Sequence, residues 1–68
     1  MVVIEGRGTV AITEPGRDRS TYYEDAEIQI FDNMVHFRAY NKWNTCSLAL
    51  CIIGWTGDPV IKEMKIGG

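Results

Sequence analysis

The sequence lacks a hydrophobic run long enough to cross a membrane. Its longest apolar stretch, residues 48–53, is far shorter than the ~20 residues that a bilayer-spanning helix needs. The N-terminus also lacks the basic segment and apolar run that are typical of a secretory signal. We therefore expect a soluble protein of a reducing compartment, most simply the cytoplasm.

The chain also has few residues that could stabilise a small fold through disulfides or a bound metal ion. It has two cysteines and one histidine. On a continuous strand Cys46 and Cys51 would point to opposite faces and lie ~16 Å apart at ~3.3 Å per residue, which is too far for a disulfide. One histidine and two such cysteines do not provide a tetrahedral metal site either. We expect residues 1–68 to form one small domain that depends on tight packing or on self-association.

Nothing in the sequence assembles a catalytic set or a cofactor motif. His36 has Glu27 within plausible reach as an orienting carboxylate, but no nucleophile accompanies them. Gly6-Arg7-Gly8 lacks the third glycine and the following helix of a phosphate-binding loop. We therefore predict that the protein is not an enzyme and has no cofactor.

Residues 26–40 show the clearest structural pattern in the chain and predict a β-hairpin. Asp32 and Asn33 tolerate the positive φ of a two-residue type I′ turn, so Phe31 should face Met34. In this register the inner face pairs Ile30 with Val35, Ile28 with Phe37, and Ala26 with Ala39. The outer face pairs Phe31 with Met34, Gln29 with His36, Glu27 with Arg38, and Asp25 with Tyr40. The register separates apolar from polar residues almost completely, which supports it.

Residues 2–13 alternate with a period of two and predict a half-buried strand. The expected inward residues are Val2, Ile4, Val10 and Ile12, and the expected outward ones are Glu5, Arg7, Thr9 and Thr13. Gly6 and Gly8 interrupt the inward row. Their missing side chains indicate sharp coiling or the close approach of another backbone.

Turn residues separate this strand from the hairpin. Glu14-Pro15-Gly16 predicts a type II turn, and a polar loop follows over residues 17–21. When the hairpin register is extended, Tyr22 faces Trp43 on the inner side and Tyr23 faces Lys42 on the outer side. Residues 41–44 are interpreted as a short loop or a strand end.

The C-terminal third is ambiguous between strand and helix. Residues 48–53 do not alternate, which fits either a strand buried on both faces or a buried helix, and we favour a strand at the centre of the sheet or covered by a second subunit. Gly54 is a candidate bulge. We predict a last strand over residues 60–66, although Asp58 and Pro59 are also typical of a helix start.

These elements predict an all-β fold. The expected architecture is a five-stranded, mostly antiparallel meander, strongly coiled into a barrel or sandwich of the size of SH3-like and OB-like domains. The alternative is a β-meander with one short helix at 46–53 or 59–66.

The outer face of the hairpin is the candidate contact surface. Its basic and aromatic residues could bind single-stranded nucleic acid, but Asp25 and Glu27 lie beside them and neutralise the face. Phe31 and Met34 at the hairpin tip need a cover, either from the chain itself or from a partner. Arg17 and Arg19 could make further contacts from their loop. The full candidate set on the face is Tyr23, Phe31, Met34, His36, Arg38, Tyr40 and Lys42.

From size and from the absence of a catalytic set we predict a non-enzymatic protein-interaction module. It would self-associate as a homo-oligomer and bind or block another macromolecule, in the manner of small accessory or inhibitory proteins of phages and mobile elements. The alternative is a single-stranded nucleic-acid-binding β-barrel.

Overall fold

A single antiparallel sheet makes up almost the whole of the computed structural model, which describes residues 1–14, 16 and 19–63. The described residues form six strands and one 3₁₀ turn. The elements are β1 (Val2–Thr13), β2 (Ser20–Phe31), β3 (Met34–Ala39), β4 (Lys42–Ser47), the 3₁₀ turn (Leu48–Leu50), β5 (Cys51–Trp55) and β6 (Val60–Glu63). The predicted all-β class is confirmed, with six strands instead of five. Over the described residues the sheet does not close into a barrel.

The strand order is β4-β3-β2-β1-β5, and β6 also pairs with β1. β5 pairs with residues 8–12 of β1 and β6 pairs with residues 2–5, so β5 and β6 lie end to end along the same edge of β1. Between them, the Thr56 backbone N donates a hydrogen bond to the Arg7 carbonyl O at 2.7 Å. The strand predicted over 60–66 is confirmed for Val60–Glu63, and residues 64–66 lie outside the described residues.

The predicted hairpin register is confirmed between β2 and β3. Five consecutive pairs run from Phe31–Met34 to Glu27–Arg38. Asp32 and Asn33 have φ values of 51° and 58°, as a type I′ turn requires. The ladder ends at Glu27–Arg38, so Ala26–Ala39 and Asp25–Tyr40 are not ladder pairs.

A second two-residue turn overturns the prediction for residues 41–44. Tyr40 and Asn41 both have positive φ, 54° and 60°, and the chain reverses there into β4. Lys42 therefore pairs with Ala39, and Trp43 pairs with Arg38. Asparagine tolerates this conformation, whereas a tyrosine in it is uncommon, which is why the sequence pattern did not indicate the turn.

A β-bulge in β2 exchanges the predicted positions of the two tyrosines. Gly8 pairs with Ala26 but Val10 pairs with Tyr23, so the single residue Thr9 faces two residues of β2. Asp25, with φ 54°, is the extra residue. Because one added residue reverses the alternation, Tyr23 points inward and Tyr22 outward, contrary to the prediction. The bulge predicted at Gly54 is wrong, since Gly54 pairs regularly with Thr9.

This exchange predicts unequal effects of two neighbouring substitutions. The Tyr23 ring packs against Phe37 with a centroid distance of 4.9 Å, whereas Tyr22 is 66% exposed. We expect Tyr23→Ala to lower the free energy of unfolding by about 2–3 kcal/mol, and Tyr22→Ala to change it by less than about 0.5 kcal/mol. Urea denaturation of both variants measures the difference. The opposite ranking would contradict the bulge.

The core lies on one face of the curled sheet. Its buried members are Val10, Ala26, Ile28, Val35, Phe37 and Ala39. The close approach inferred from the inward glycines is confirmed. A Cβ at Gly6 would lie 2.7 Å from Cζ3 of Trp55, and a Cβ at Gly8 would meet the backbone of Gly54.

The apolar run at 48–53 is neither a central strand nor an α-helix. Its first half is the 3₁₀ turn, and its second half begins β5, which lies at the end of the strand order. Ile52 is 71% exposed. The three residues of the turn connect β4 to β5, which are the opposite ends of the strand order, and a flat sheet would hold those ends ~19 Å apart at ~4.8 Å per strand. The sheet must therefore curl.

Candidate functional site

The outer face is the side of the sheet opposite the core, and a row of charged residues crosses it. The register places Arg7, Glu27 and Arg38 side by side on β1, β2 and β3. Arg7 Nη2 lies 3.4 Å from Glu27 Oε1, and Arg38 Nη1 lies 3.9 Å from Glu27 Oε2. The predicted pair of Glu27 with Arg38 is thus confirmed. We call Arg7, Glu27 and Arg38 the charged row.

Two further ion pairs balance the charge around this row. Arg7 Nη1 lies 3.4 Å from Asp25 Oδ1, because the bulge turns that carboxylate toward β1. Lys62 Nζ, on β6, lies 2.9 Å from Glu5 Oε2. Arg7, Arg38 and Lys62 therefore all have acidic partners, and the face presents little net charge.

Two shallow hollows flank the charged row and share Arg7 and Glu27. The first has a volume of about 410 Å³ and is lined by Glu5, Gly6, Arg7, Glu27, Ile28, Gln29, Trp43, Val60 and Lys62. The second has about 290 Å³ and is lined by Arg7, Glu24, Asp25, Glu27, Arg38, Ala39, Tyr40 and Asn41. Each hollow contains one exposed aromatic residue: Trp43, 49% exposed, in the first and Tyr40, 92% exposed, in the second.

Tyr40 has an unfavourable backbone conformation for a tyrosine, and an asparagine would fit this turn position at lower cost. Its φ of 54° lies in the left-handed region, which costs a residue with a Cβ on the order of 1 kcal/mol. A 92% exposed side chain gains almost nothing from burial in return. Strained residues of this kind concentrate at functional sites.

The structure places four of the predicted contact residues on the outer face. Every second residue of β3 points to this face, and Phe31 of β2 lies opposite the first of them. The β3 residues are Met34, His36 and Arg38. The His36 ring stacks on Phe31 with a centroid distance of 4.2 Å and an interplanar angle of 9°. Phe31 and Met34 are half-buried, so the chain itself covers part of the hairpin tip. When the β1–β2 register is extended by one residue, the buried Val3 lies opposite Phe31. At the start of β1 the buried residue is therefore Val3, and the predicted inward residue Val2 is exposed.

Two of the other predicted residues lie off this face. Tyr23 packs against the core, and Lys42, paired with the inward Ala39, lies on the opposite side from the charged row, so both predicted outer positions are wrong. Tyr40 is in the second turn, where it lines the second hollow beside the charged row. Arg19 is exposed in its loop, and Arg17 lies outside the described residues.

Sequence reasoning missed Trp43 and Lys62 as residues of this surface. Lys62 joins it only through the pairing of β6 with β1, which links residues about 60 positions apart. Trp43 was predicted to face inward because the second turn was not recognised. Asn41 was the one available signal for that turn.

The two cysteines are close together, contrary to expectation. Both are half-buried and pack against the core. Cys46 Sγ donates to the Ser47 carbonyl O at 3.5 Å. Burial first, and then the neighbouring Cys46 side chain, raise the pKa of the Cys51 thiol to about 12. The distance expected for an extended chain does not apply, because the 3₁₀ turn separates the two residues.

In the described part of the chain, no group of three or more His, Cys, Asp or Glu side chains is placed to hold a metal ion. Within the same residues, no helix has the length and apolar character required to span a membrane. Comparisons with protein-family models, with curated proteins and with solved structures gave no significant match.

Proposed function

We propose that the protein is a non-enzymatic interaction module that binds another protein through its outer face and forms a homo-oligomer through one sheet edge. The observation that carries the first part is Tyr40, an aromatic side chain held almost fully exposed at an energetic cost to the backbone. Together with Trp43 and the charged row it presents the residue types that dominate protein interfaces, tyrosine, tryptophan and arginine.

The charge pattern favours a protein partner over nucleic acid. Binding of a phosphate backbone depends on basic groups that are free to replace counterions. Arg7 and Arg38 lie beside Glu27 and Asp25, and Lys62 lies beside Glu5, so a polyanion would meet carboxylates at each of these positions. A neutral face with exposed aromatics suits a protein surface of mixed charge.

The free side of β6 supports self-association. We define the β6 edge as the side of Val60–Glu63 that faces away from β1. Within the described residues this side has no ladder partner, and Val60 and Ile61 on β6 are 54% and 70% exposed. An unpaired edge with exposed β-branched residues is a template for pairing with another strand, and a second copy of this chain offers the same edge.

Tyr40→Asn tests the outer face because stability and binding should change in opposite directions. Asparagine tolerates positive φ, so we expect the free energy of unfolding to rise by about 0.5–1 kcal/mol. Loss of the aromatic side chain should weaken capture of the partner by about thirtyfold or more. Urea denaturation measures the first effect, and quantitative affinity capture from the source cells measures the second.

Tyr22→Ala is the matched control, because Tyr22 is an exposed aromatic residue at the other end of the outer face. Capture that is unchanged by Tyr40→Asn and by Trp43→Ala would overturn the proposed surface. Binding of a fluorescent single-stranded oligonucleotide at low salt would instead support the nucleic-acid alternative. For self-association, light scattering should show a concentration-dependent mass that Ile61→Lys abolishes, and a monomer at all concentrations would refute this part.

A further inference from the structure

The seam of the curled sheet lies between β4 and β5. These strands are the two ends of the strand order, yet only Leu48–Leu50 connects them. At about 2 Å per residue, three residues of 3₁₀-helix advance the chain only ~6 Å. The turn is anchored at both ends, because the Leu48 backbone N donates to the Asn33 carbonyl O at 2.9 Å and the Cys51 N–H donates to the Leu48 carbonyl O.

The two cysteines flank this seam on the same face of the sheet. Cys46 pairs with the buried Val35 of β3, and Cys51 pairs with Ile12 of β1, so both side chains point to the core side of the sheet. They are the chain's two cysteines, one on each side of the turn. Cys46 contributes to the raised pKa of the Cys51 thiol, which indicates that the two side chains lie near each other, and both are half-buried, so neither is fully shielded from solvent.

We propose that Cys46 and Cys51 are a reversible oxidation site, at which a disulfide closes the seam between β4 and β5. The oxidant belongs to the class of small disulfides, of which oxidised glutathione is the probe. The Cys46 thiolate attacks one glutathione sulfur, which breaks the S–S bond and releases one glutathione thiolate. The Cys51 thiolate then attacks Cys46 Sγ of the mixed disulfide and releases the second glutathione. The protein loses two electrons and two protons, and the small disulfide becomes two thiols.

The two cysteines have different roles in this exchange. The attacking species is a thiolate, and the raised pKa of Cys51 makes its thiolate scarce near neutral pH. Cys46 is therefore the entry point and Cys51 the resolving residue. The second step should become faster as the pH rises, because it also requires a thiolate.

The test is incubation of the folded protein with mixtures of reduced and oxidised glutathione, followed by acid quenching and intact mass measurement. We expect the mass of a single chain that has lost two hydrogens, and we expect dithiothreitol to restore the reduced mass. In a thermal melt the oxidised form should unfold at a temperature higher by on the order of 10 °C, because the closed loop restricts the unfolded chain. Cys51→Ser should stop at a glutathione adduct on Cys46, whereas Cys46→Ser should react far more slowly.

A matched control moves one thiol to the other face of β4. The double variant Cys46→Ser with Ser47→Cys keeps two cysteines near the turn, but position 47 pairs with the outward Met34. This variant should not close an internal disulfide under conditions that oxidise the unchanged protein. Equal closure in both proteins, glutathione adducts without closure, or closure only in denaturant would each overturn the proposal.

Discussion

Replacing Gly8 with alanine is expected to destabilise the protein severely. A Cβ at this position would collide with the carbonyl O of Gly54 and approach the Trp55 Cα, both of which belong to the backbone of β5. Because backbone atoms cannot rotate away as a side chain can, β5 must separate from β1. We expect a loss of at least about 3 kcal/mol. A chain of this size has about 3–10 kcal/mol in total. Circular dichroism during urea titration measures the loss.

Gly54→Ala is the control on the opposite side of the same contact. A Cβ at Gly54 meets no atom within 4 Å, and Gly54 has no positive φ that would strain an alanine. We expect a change in the free energy of unfolding of less than about 0.5 kcal/mol. If both variants were equally stable, β5 would not lie against Gly8, and the position of this strand would be wrong.

Phe37→Ala should destabilise the protein by about 3–5 kcal/mol. Phe37 is 1% exposed and is the largest fully buried side chain among the described residues, and it also packs against Tyr23. Its removal leaves a cavity that the neighbouring strands cannot fill, because the sheet ladders fix their spacing. Differential scanning calorimetry and urea denaturation both report the loss.

Phe31 provides the comparison for Phe37 because it lies on the other face of the same hairpin. It is half-buried and stacks on His36. Phe31→Ala should therefore cost only about 1 kcal/mol, since less apolar surface is lost from burial. A cost equal to that of Phe37→Ala would mean that a second core exists on the outer face.

Local sequence predicted the central hairpin correctly for a physical reason. A two-residue turn fixes the register directly, and a register shift by one residue would move every buried side chain to the wrong face. The turn at Asp32-Asn33 and the burial of the apolar residues therefore predict the same register. These apolar residues are Ile28, Ile30, Val35 and Phe37. The alternation of β1 and its interruption by Gly6 and Gly8 are local signals of the same kind, and they too predicted the contacts found there.

The misses around Tyr23 and Trp43 share one cause. Both follow from residues at positive φ, Asp25 in the bulge and the pair Tyr40-Asn41 in the second turn. The first reverses the alternation of the strand and the second reverses the direction of the chain, so small local errors moved Tyr23, Lys42 and Trp43 to wrong positions. A positive φ is unfavourable for tyrosine, so turn propensities do not predict a turn at Tyr40.

The miss at Lys62 concerns a contact between distant parts of the chain. The pairing of Lys62 with Glu5 requires β6 to lie along β1. No turn chemistry encodes that arrangement. The edge of β1 that is not paired with β2 can form hydrogen bonds with any strand that reaches it. The short turn after β4 places β5 along this edge, and β6 continues the pairing.

The position of β1 between β2 and β5 has a consequence for the order of folding. Its contacts with β2 close a loop of a few residues, but its other edge pairs with residues about 40 to 60 positions later. Loop closure over that distance is slow compared with hairpin formation, so the four-strand meander should form first with one side of β1 bare. During synthesis this bare side stays open until residues 51–63 have left the ribosome. β1 is made before the strands it pairs with and is the last of them to be completed, and over that interval its bare side is exposed to pairing with a wrong strand.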